Sequence, residues 1–386
     1  MRCNLSQYEP KQRPEKTFFQ GKRPWSKIKD QVLGSYMPGY LAKVAMLGKP
    51  ILLIDAFAGP GKFDDDSIGS PLILCNAAEK QAKNQYRAIF FNRDSAHHEQ
   101  LQNNLGEFVT SKKAIPVFGT AEMLLEELKK LLTDQTVFLY LDPFGLRGCE
   151  FSMIEPFLKR DKRHSTEIVI NLSVPTIHRL AAKSSVGRMG RKSNKIKAFH
   201  DTLTKVLGGD YWKDVLWSET GTADERIEKV MEFYRKRLQE AGLPYTGSCP
   251  VREREGSTLK YYITICSRHP HALLLMNDIM CKAYNKQTYE AMFAGTLFEK
   301  TDWKDSRESR SIATVVEELV TEVPGRSRAA IWFLIVQQHF MQFLESEYKK
   351  AVKELCDQGR LRFVDVKGTG KLNDKATLFP VVIKES

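Results

Sequence analysis

The sequence predicts an α/β fold: a Rossmann-like sheet, parallel with a terminal antiparallel hairpin, followed by a C-terminal winged-helix-like α+β domain. Three observations predict it. Apolar runs of strand length alternate with helix-like segments over residues 51–172, the arrangement that gives a parallel sheet covered by helices. The runs at 51–54, 88–91, 137–141 and 168–170 are continuously apolar, as burial on both faces requires. Two more strand-like runs within 249–266 meet at Gly256-Ser257, a tight hairpin turn.

The elements follow in order. The first 24 residues are polar, carry Lys, Arg, Gln and Pro without sustained periodicity, and read as a flexible basic arm. From Trp25, the residues Trp25, Ile28, Val32, Leu33, Tyr36 and Tyr40 recur at helical spacing. They predict an amphipathic helix interrupted at Pro38-Gly39 and packed beside the first strand. Strands are expected near 51–56, 87–92, 115–118, 136–141 and 166–172. Residues 176–245 read as a helical and basic insertion, and the hairpin then completes a domain spanning 25–300. Methyltransferases with a Rossmann-like sheet end in such an antiparallel pair, whereas nicotinamide dehydrogenases usually continue with a parallel strand. The remaining 301–386 predict helices at 312–321, after Pro324-Gly325 and at 346–356, then strands at 361–365 and 376–383. Three helices and a hairpin make the winged-helix pattern, with 367–371 as the wing.

Composition bounds the function. With 386 residues, 42% hydrophobic and 27% charged, the chain is globular material sufficient for two units. No apolar run approaches the roughly 18 residues of a membrane span, and residues 1–6 lack a signal peptide's apolar core, so a cytoplasmic protein without membrane association is expected. The seven cysteines, at 3, 75, 149, 249, 266, 281 and 356, include no Cys-x-x-Cys pair, which argues against a disulfide framework or a zinc site. His97-His98 and His269-Pro270-His271 have no cysteine or carboxylate at ligand spacing, and no metal is expected. A formal charge of +12 suits a polyanionic partner. Within 183–197, Lys183, Arg188, Arg191, Lys192, Lys195 and Lys197 occur with no acid among Gly and Ser. That stretch reads either as a phosphate-contacting loop for DNA or RNA or as an ordinary solvated loop. Lys349, Lys350 and Lys353 lie on the third winged-helix segment; such modules grip nucleic acid or dock proteins, and both readings stand.

The chemistry concentrates at strand ends. In Asp55-Ala56-Phe57-Ala58-Gly59-Pro60-Gly61, two glycines follow a buried strand, where missing side chains let backbone turn tightly and approach a ligand. Alone, such a pair is as well explained as a structural turn. Its weight comes from the later strand ends, which carry Asn92, Arg93 and Asp94, then Gly119, Thr120 and Ala121, then Asp142. Together they predict an S-adenosylmethionine pocket. Asp55, Phe57, Ala58, Gly59, Pro60 and Gly61 would surround the methionine part, with Asp55 near its ammonium. Asn92, Arg93 and Asp94 would meet the ribose, and Gly119, Thr120 and Ala121 would border the adenine.

Asp142, Pro143, Phe144 and Gly145 resemble the Asp-Pro-Pro-Tyr motif of methyltransferases acting on nucleobase amines. An exocyclic amine is a poor nucleophile until acceptors hold its hydrogens, here the Asp142 carboxylate and the Pro143 carbonyl, while Phe144 stacks on the ring. The transfer is an in-line displacement, so most of the rate comes from pose. A target within a duplex must be flipped out. The plain alternative is a strand-ending turn. Asp64-Asp65-Asp66 invites a metal-dependent nuclease reading, although successive carboxylates in a loop point in different directions.

Taken together, the phrases at 25–29, 55–61, Gly69-Ser70-Pro71, 141–145, Asn171-Leu172-Ser173 and 261–270 resemble the three-Cys-motif partner protein (TcmP) family over roughly residues 20–300. The resemblance implies a methyltransferase-like protein with an iron-sulfur protein partner carrying a three-cysteine motif. Asn92 departs from that pattern, replacing a Glu with an uncharged amide. The expected function is S-adenosylmethionine-dependent methylation of an exocyclic amine of a nucleic-acid base. The alternatives are a noncatalytic nucleic-acid-binding partner subunit of an iron-sulfur radical-type enzyme, and a metal-dependent nuclease.

Overall fold

The computed structural model describes residues 24–131, 133–183, 192–252, 257–293, 311–365, 368 and 370–381. Expectations placed on residues 1–23, Arg188, Arg191, Gly256 and Lys367 lie outside the described residues, as does the side chain of Lys192.

Helix α1 (Pro24–Ala45) leads into the alternation β1 (Ile51–Asp55), α2 (Ser70–Gln81), β2 (Tyr86–Asn92), α3 (Ser95–Thr110), β3 (Ala114–Phe118), α4 (Ala121–Leu131), β4 (Thr136–Leu141), α5 (Phe151–Leu158) and β5 (Thr166–Ser173). Four helices follow, α6 (Val174–Leu180), α7 (Lys192–Leu207), α8 (Trp212–Leu216) and α9 (Ala223–Glu240). The hairpin β6 (Tyr245–Arg252) and β7 (Leu259–Ser267) then precedes α10 (Pro270–Phe293). The sheet order is β3-β2-β1-β4-β5-β7-β6, with β1 to β5 parallel and β7 antiparallel to both neighbours. This is a Rossmann-like, methyltransferase-type sheet, and its strand order reverses between β1 and β4.

The continuous apolar runs become two-sided burial: all six residues of β4 are buried. Leu53, Phe138, Tyr140 and Val169 face a core shared with α1, α2 and α10, while Ile54, Leu139, Leu141 and Ile170 face α5 to α9. Among the described residues no helix is long and apolar enough to cross a membrane.

One expectation needs correction. Helix α1 is not interrupted at Pro38-Gly39 but runs unbroken for 22 residues. Proline forfeits a backbone hydrogen bond there, yet Tyr36, Met37, Tyr40 and Leu41 are buried on either side of it. Tyr36 stacks on Phe138 of β4 and Tyr40 packs tilted against it, with centroids 6.3 and 5.2 Å away, and the Tyr36 hydroxyl donates to buried Glu167 of β5. Gly39 admits Leu275 of α10 so closely that a Cβ would stand 3.0 Å from its Cδ2. Tertiary packing on three sides overrides the local breaker.

The C-terminal part contains α11 (Ile312–Glu322), β8 (Arg326–Ser327), α12 (Arg328–Gln338), α13 (Glu345–Asp357), β9 (Leu361–Val364) and β10 (Thr377–Pro380), with an antiparallel sheet ordered β8-β10-β9. Its apolar interior, including Val316, Trp332, Ile335 and Phe343, is continuous with the core beneath α1 and α10. Asn277 of α10 fastens the junction: its amide nitrogen donates to Phe343 O at 2.9 Å, and its carbonyl accepts from Met341 N at 2.7 Å.

Candidate active site

Ligands of open parallel sheets bind beyond the strands' carboxyl ends, where strand order reverses. A cleft lies there, between the ends of β1 and β4. Phe57, Gly59, Pro60 and Gly61 form one side, Asp142, Pro143 and Phe144 another, and Ser26, Lys29 and Asp30 of α1 a third, with Tyr261 of β7 alongside.

The glycine loop is braced from outside. Asn92 at the end of β2 donates to Ala58 O at 2.6 Å, Asn104 of α3 donates to Pro60 O at 2.7 Å, and Gly69 N donates to Gly61 O at 2.8 Å. Three successive elements thus pin three carbonyls, leaving the loop little freedom. Gly61 has φ +86°, a conformation that disfavours a side chain, and a Cβ there would stand 3.3 Å from that of Asn104.

Asp55 ends β1 fully buried beneath this loop. It accepts from Phe57 N at 3.1 Å and from the Ser70 hydroxyl at 2.7 Å. Burial pushes its carboxyl up to about 7; the two hydrogen bonds oppose the rise, and the charges of Asp142 and Asp30 add to it. A buried carboxyl poised near neutrality, one residue layer from a cleft, is suited to meeting a ligand cation.

Read from sequence, Asp142 is free to hold the hydrogens of an amine. In the structure Lys29 Nζ donates to both of its carboxylate oxygens, at 2.8 and 2.6 Å. The Lys29 side chain is 6% exposed and that of Asp142 23%, and the ammonium lies 4.5 Å from the centroid of the Tyr261 ring. Burial alone would lower the Lys29 pKa, but the charge of Asp142, then Tyr261, raises it overall, so the lysine is cationic at neutral pH. Ser26, one turn earlier on α1, lines the cleft, and its buried hydroxyl has no hydrogen-bond partner among the described residues.

The other sequence-selected residues are distributed as follows. Pro143 is buried and Phe144 is 56% exposed at the rim, while Gly145 is half-buried. Asn92 spends its amide on Ala58 O and on Asp94 N, which donates to Asn92 Oδ1 at 2.8 Å. Asp94 caps α3 through His97 N, and Arg93 is exposed. Thr120 accepts from Met123 N at the start of α4, between half-buried Gly119 and buried Ala121. Residues 92–94 and 119–121 are not among the cleft's lining residues. Asp64, Asp65 and Asp66 are exposed, and Asp65 accepts from Ser67 N and Oγ. Lys183, Lys195 and Lys197 are exposed. On α13, Lys349 pairs with Glu345 at 2.6 Å and Lys350 with Glu354 at 3.8 Å, while Lys353 is exposed.

Sequence reasoning did not single out Ser26, Lys29, Ser70 or Tyr261 as functional. No spacing rule links Lys29 to a residue 113 positions later. The only signal was that 25–29, 69–71 and 261–270 belong to the phrases carrying the family resemblance.

No protein-family profile matches the sequence, and no curated protein matches it. Among solved structures the chain is similar to an O-methyltransferase from Bacillus cereus in complex with SAH (13% identity, 60% of this chain and 79% of the other, TM-score 0.33). It is also similar to precorrin-6y C5,15-methyltransferase from Geobacter metallireducens (14%, 59% and 86%, 0.28). A third is the fibrillarin pre-rRNA processing protein of Methanococcus jannaschii (9%, 56% and 66%, 0.27). Likenesses of this size carry no weight in assigning a reaction.

Proposed function

We propose that the chain is an S-adenosylmethionine-dependent methyltransferase acting on nucleic acid. The observation that supports this best is the braced glycine loop above buried Asp55, at the switch point of a methyltransferase-type sheet. In this reading the loop at 57–61 receives the methionine moiety and Asp55, beneath it, faces its ammonium, while the ribose and adenine extend beyond the lined cleft toward 92–94 and 119–121. The sulfonium methyl then points toward Asp142. The cofactor supplies an activated methyl group; the protein supplies pose and electrostatics.

The nucleic-acid assignment draws on the net charge of +12 and on the cations at Lys183, Lys195 and Lys197. We also assign 312–380 to a winged-helix module, since α11, β8, α12, α13, β9 and β10 follow that order of elements. Two of the three lysines on α13 are paired with glutamates of the same helix, so nucleic-acid grip belongs to the 183–197 region in this proposal. The TcmP-type partnership with an iron-sulfur protein rests on the sequence phrases alone.

Calorimetric titration tests the first step. Micromolar binding of S-adenosylmethionine by the full chain, weakened at least tenfold in Gly61→Val, is expected. Absence of binding at millimolar cofactor would sink the assignment.

A further inference from the structure

Granting the methyltransferase reading, we propose that the acceptor atom is a hydroxyl oxygen, on nucleic acid the ribose 2′-hydroxyl, held against the Ser26–Lys29 wall of α1. Four observations carry this. First, Lys29 places a buried ammonium on both oxygens of Asp142, at the place where the acceptor must sit. An amine becomes positively charged as it takes up a methyl group, and because Lys29 already neutralises Asp142 the carboxylate offers that charge little compensation. A hydroxyl oxygen gains negative character as its proton departs, and the same cation lowers that barrier.

Second, Ser26 lines the same cleft one helical turn away, 5% exposed, and its buried hydroxyl lies beside the cleft with no partner among the described residues. Buried polar groups are normally satisfied, and a ligand hydroxyl would satisfy this one. Third, the Tyr261 ring holds the ammonium from the other side, which fixes its position. Fourth, Phe144, 56% exposed, stands at the rim of the same cleft, next to the place given to the base of the reacting ribose.

The step balances as follows. The hydroxyl oxygen attacks the sulfonium methyl; the new O–C bond forms as the S–C bond breaks, and its electron pair stays on sulfur, leaving S-adenosylhomocysteine. The hydroxyl proton passes to the Asp142 carboxylate as the O–C bond forms, so the oxygen carries no positive charge at any stage. Lys29 stays protonated throughout and orients Asp142.

The test uses the full chain, tritiated-methyl S-adenosylmethionine, and two probes: a pool of RNA 40-mers of randomised sequence and a DNA pool of the same design. Cofactor binding is first verified by calorimetry, and its absence would overturn the underlying methyltransferase reading rather than the choice of acceptor. Given binding, label in RNA alone, recovered in ribose-methylated nucleosides after digestion, is expected. Label in base-methylated nucleosides, in DNA, or in neither pool overturns the proposal. Lys29→Met should keep the cofactor Kd within threefold while transfer falls at least a hundredfold, with partial recovery in Lys29→Arg; undiminished transfer in Lys29→Met overturns it. Should Lys29→Met fail to fold, Ser26→Ala provides the second reading. Its KM for RNA should rise about fivefold with the cofactor Kd unchanged, and an unchanged KM counts against the acceptor wall.

Discussion

Asp55 ties stability to one proton and, in the proposed function, ligand affinity with it. Its carboxyl is raised to about 7 when folded, against about 3.9 in an unfolded chain. The folded state therefore binds the proton more tightly. The stability this contributes is fully present below about pH 4 and is lost as pH climbs through 7, by at most about 1.4 kcal/mol per pH unit. Glu167, pushed to about 7 chiefly by burial, adds a second slope of the same sign. Urea titrations should show Asp55→Asn losing less stability between pH 5 and 7 than the parent chain. A ligand ammonium prefers the ionised carboxylate. Affinity for S-adenosylmethionine should accordingly rise up to about tenfold per pH unit below 7, level off above it, and be flat in Asp55→Asn when measured calorimetrically across that range. At Glu167, Tyr36→Phe removes the tyrosyl donor and leaves the carboxyl only Ser267. Denaturation should register a loss of about 1–3 kcal/mol.

At the scale of elements, the site is a loop that its neighbours hold open. Asn104→Ala removes the bond to Pro60 O, and it should weaken cofactor binding severalfold while moving the unfolding midpoint little, because the side chain touches the loop rather than the core. Thermal melts and calorimetry on one preparation check both halves. The parallel strands were readable because two-sided burial leaves a continuous apolar signature: β4 falls at the expected 136–141, and β1, β2, β3 and β5 within a residue of expectation. Helix α1 was misread at Pro38, since propensity is local and the helix is held by Phe138, Glu167 and Leu275, all distant in sequence. β8 was invisible because two residues carry no periodicity. The acidic end of the site, Asp55 and Asp142, was legible from strand ends. Its cationic and hydroxyl side was not, because Lys29 and Ser26 meet Asp142 only after α1 docks across the sheet.

Taken whole, the molecule has its C-terminal part welded to the sheet rather than tethered to it. Asn277 is fully buried and satisfies two backbone groups across the junction, and a Cβ on Gly247 of β6 would lie 2.5 Å from the Phe340 ring. Asn277→Leu should cost about 2–4 kcal/mol, the penalty for stranding those two groups. Because one apolar core runs through both parts, equilibrium unfolding should follow a single transition by circular dichroism and by tryptophan fluorescence. Two separated transitions in the parent chain would refute that. The same architecture sets a schedule for biosynthesis. Among the groups that hold helix α1, Glu167, Tyr261 and Leu275 are translated more than a hundred residues after it. At roughly 5–20 residues per second the nascent helix waits many seconds with its tyrosine face uncovered. It is the segment on which a chaperone would act, and the candidate cleft is assembled only when that wait ends.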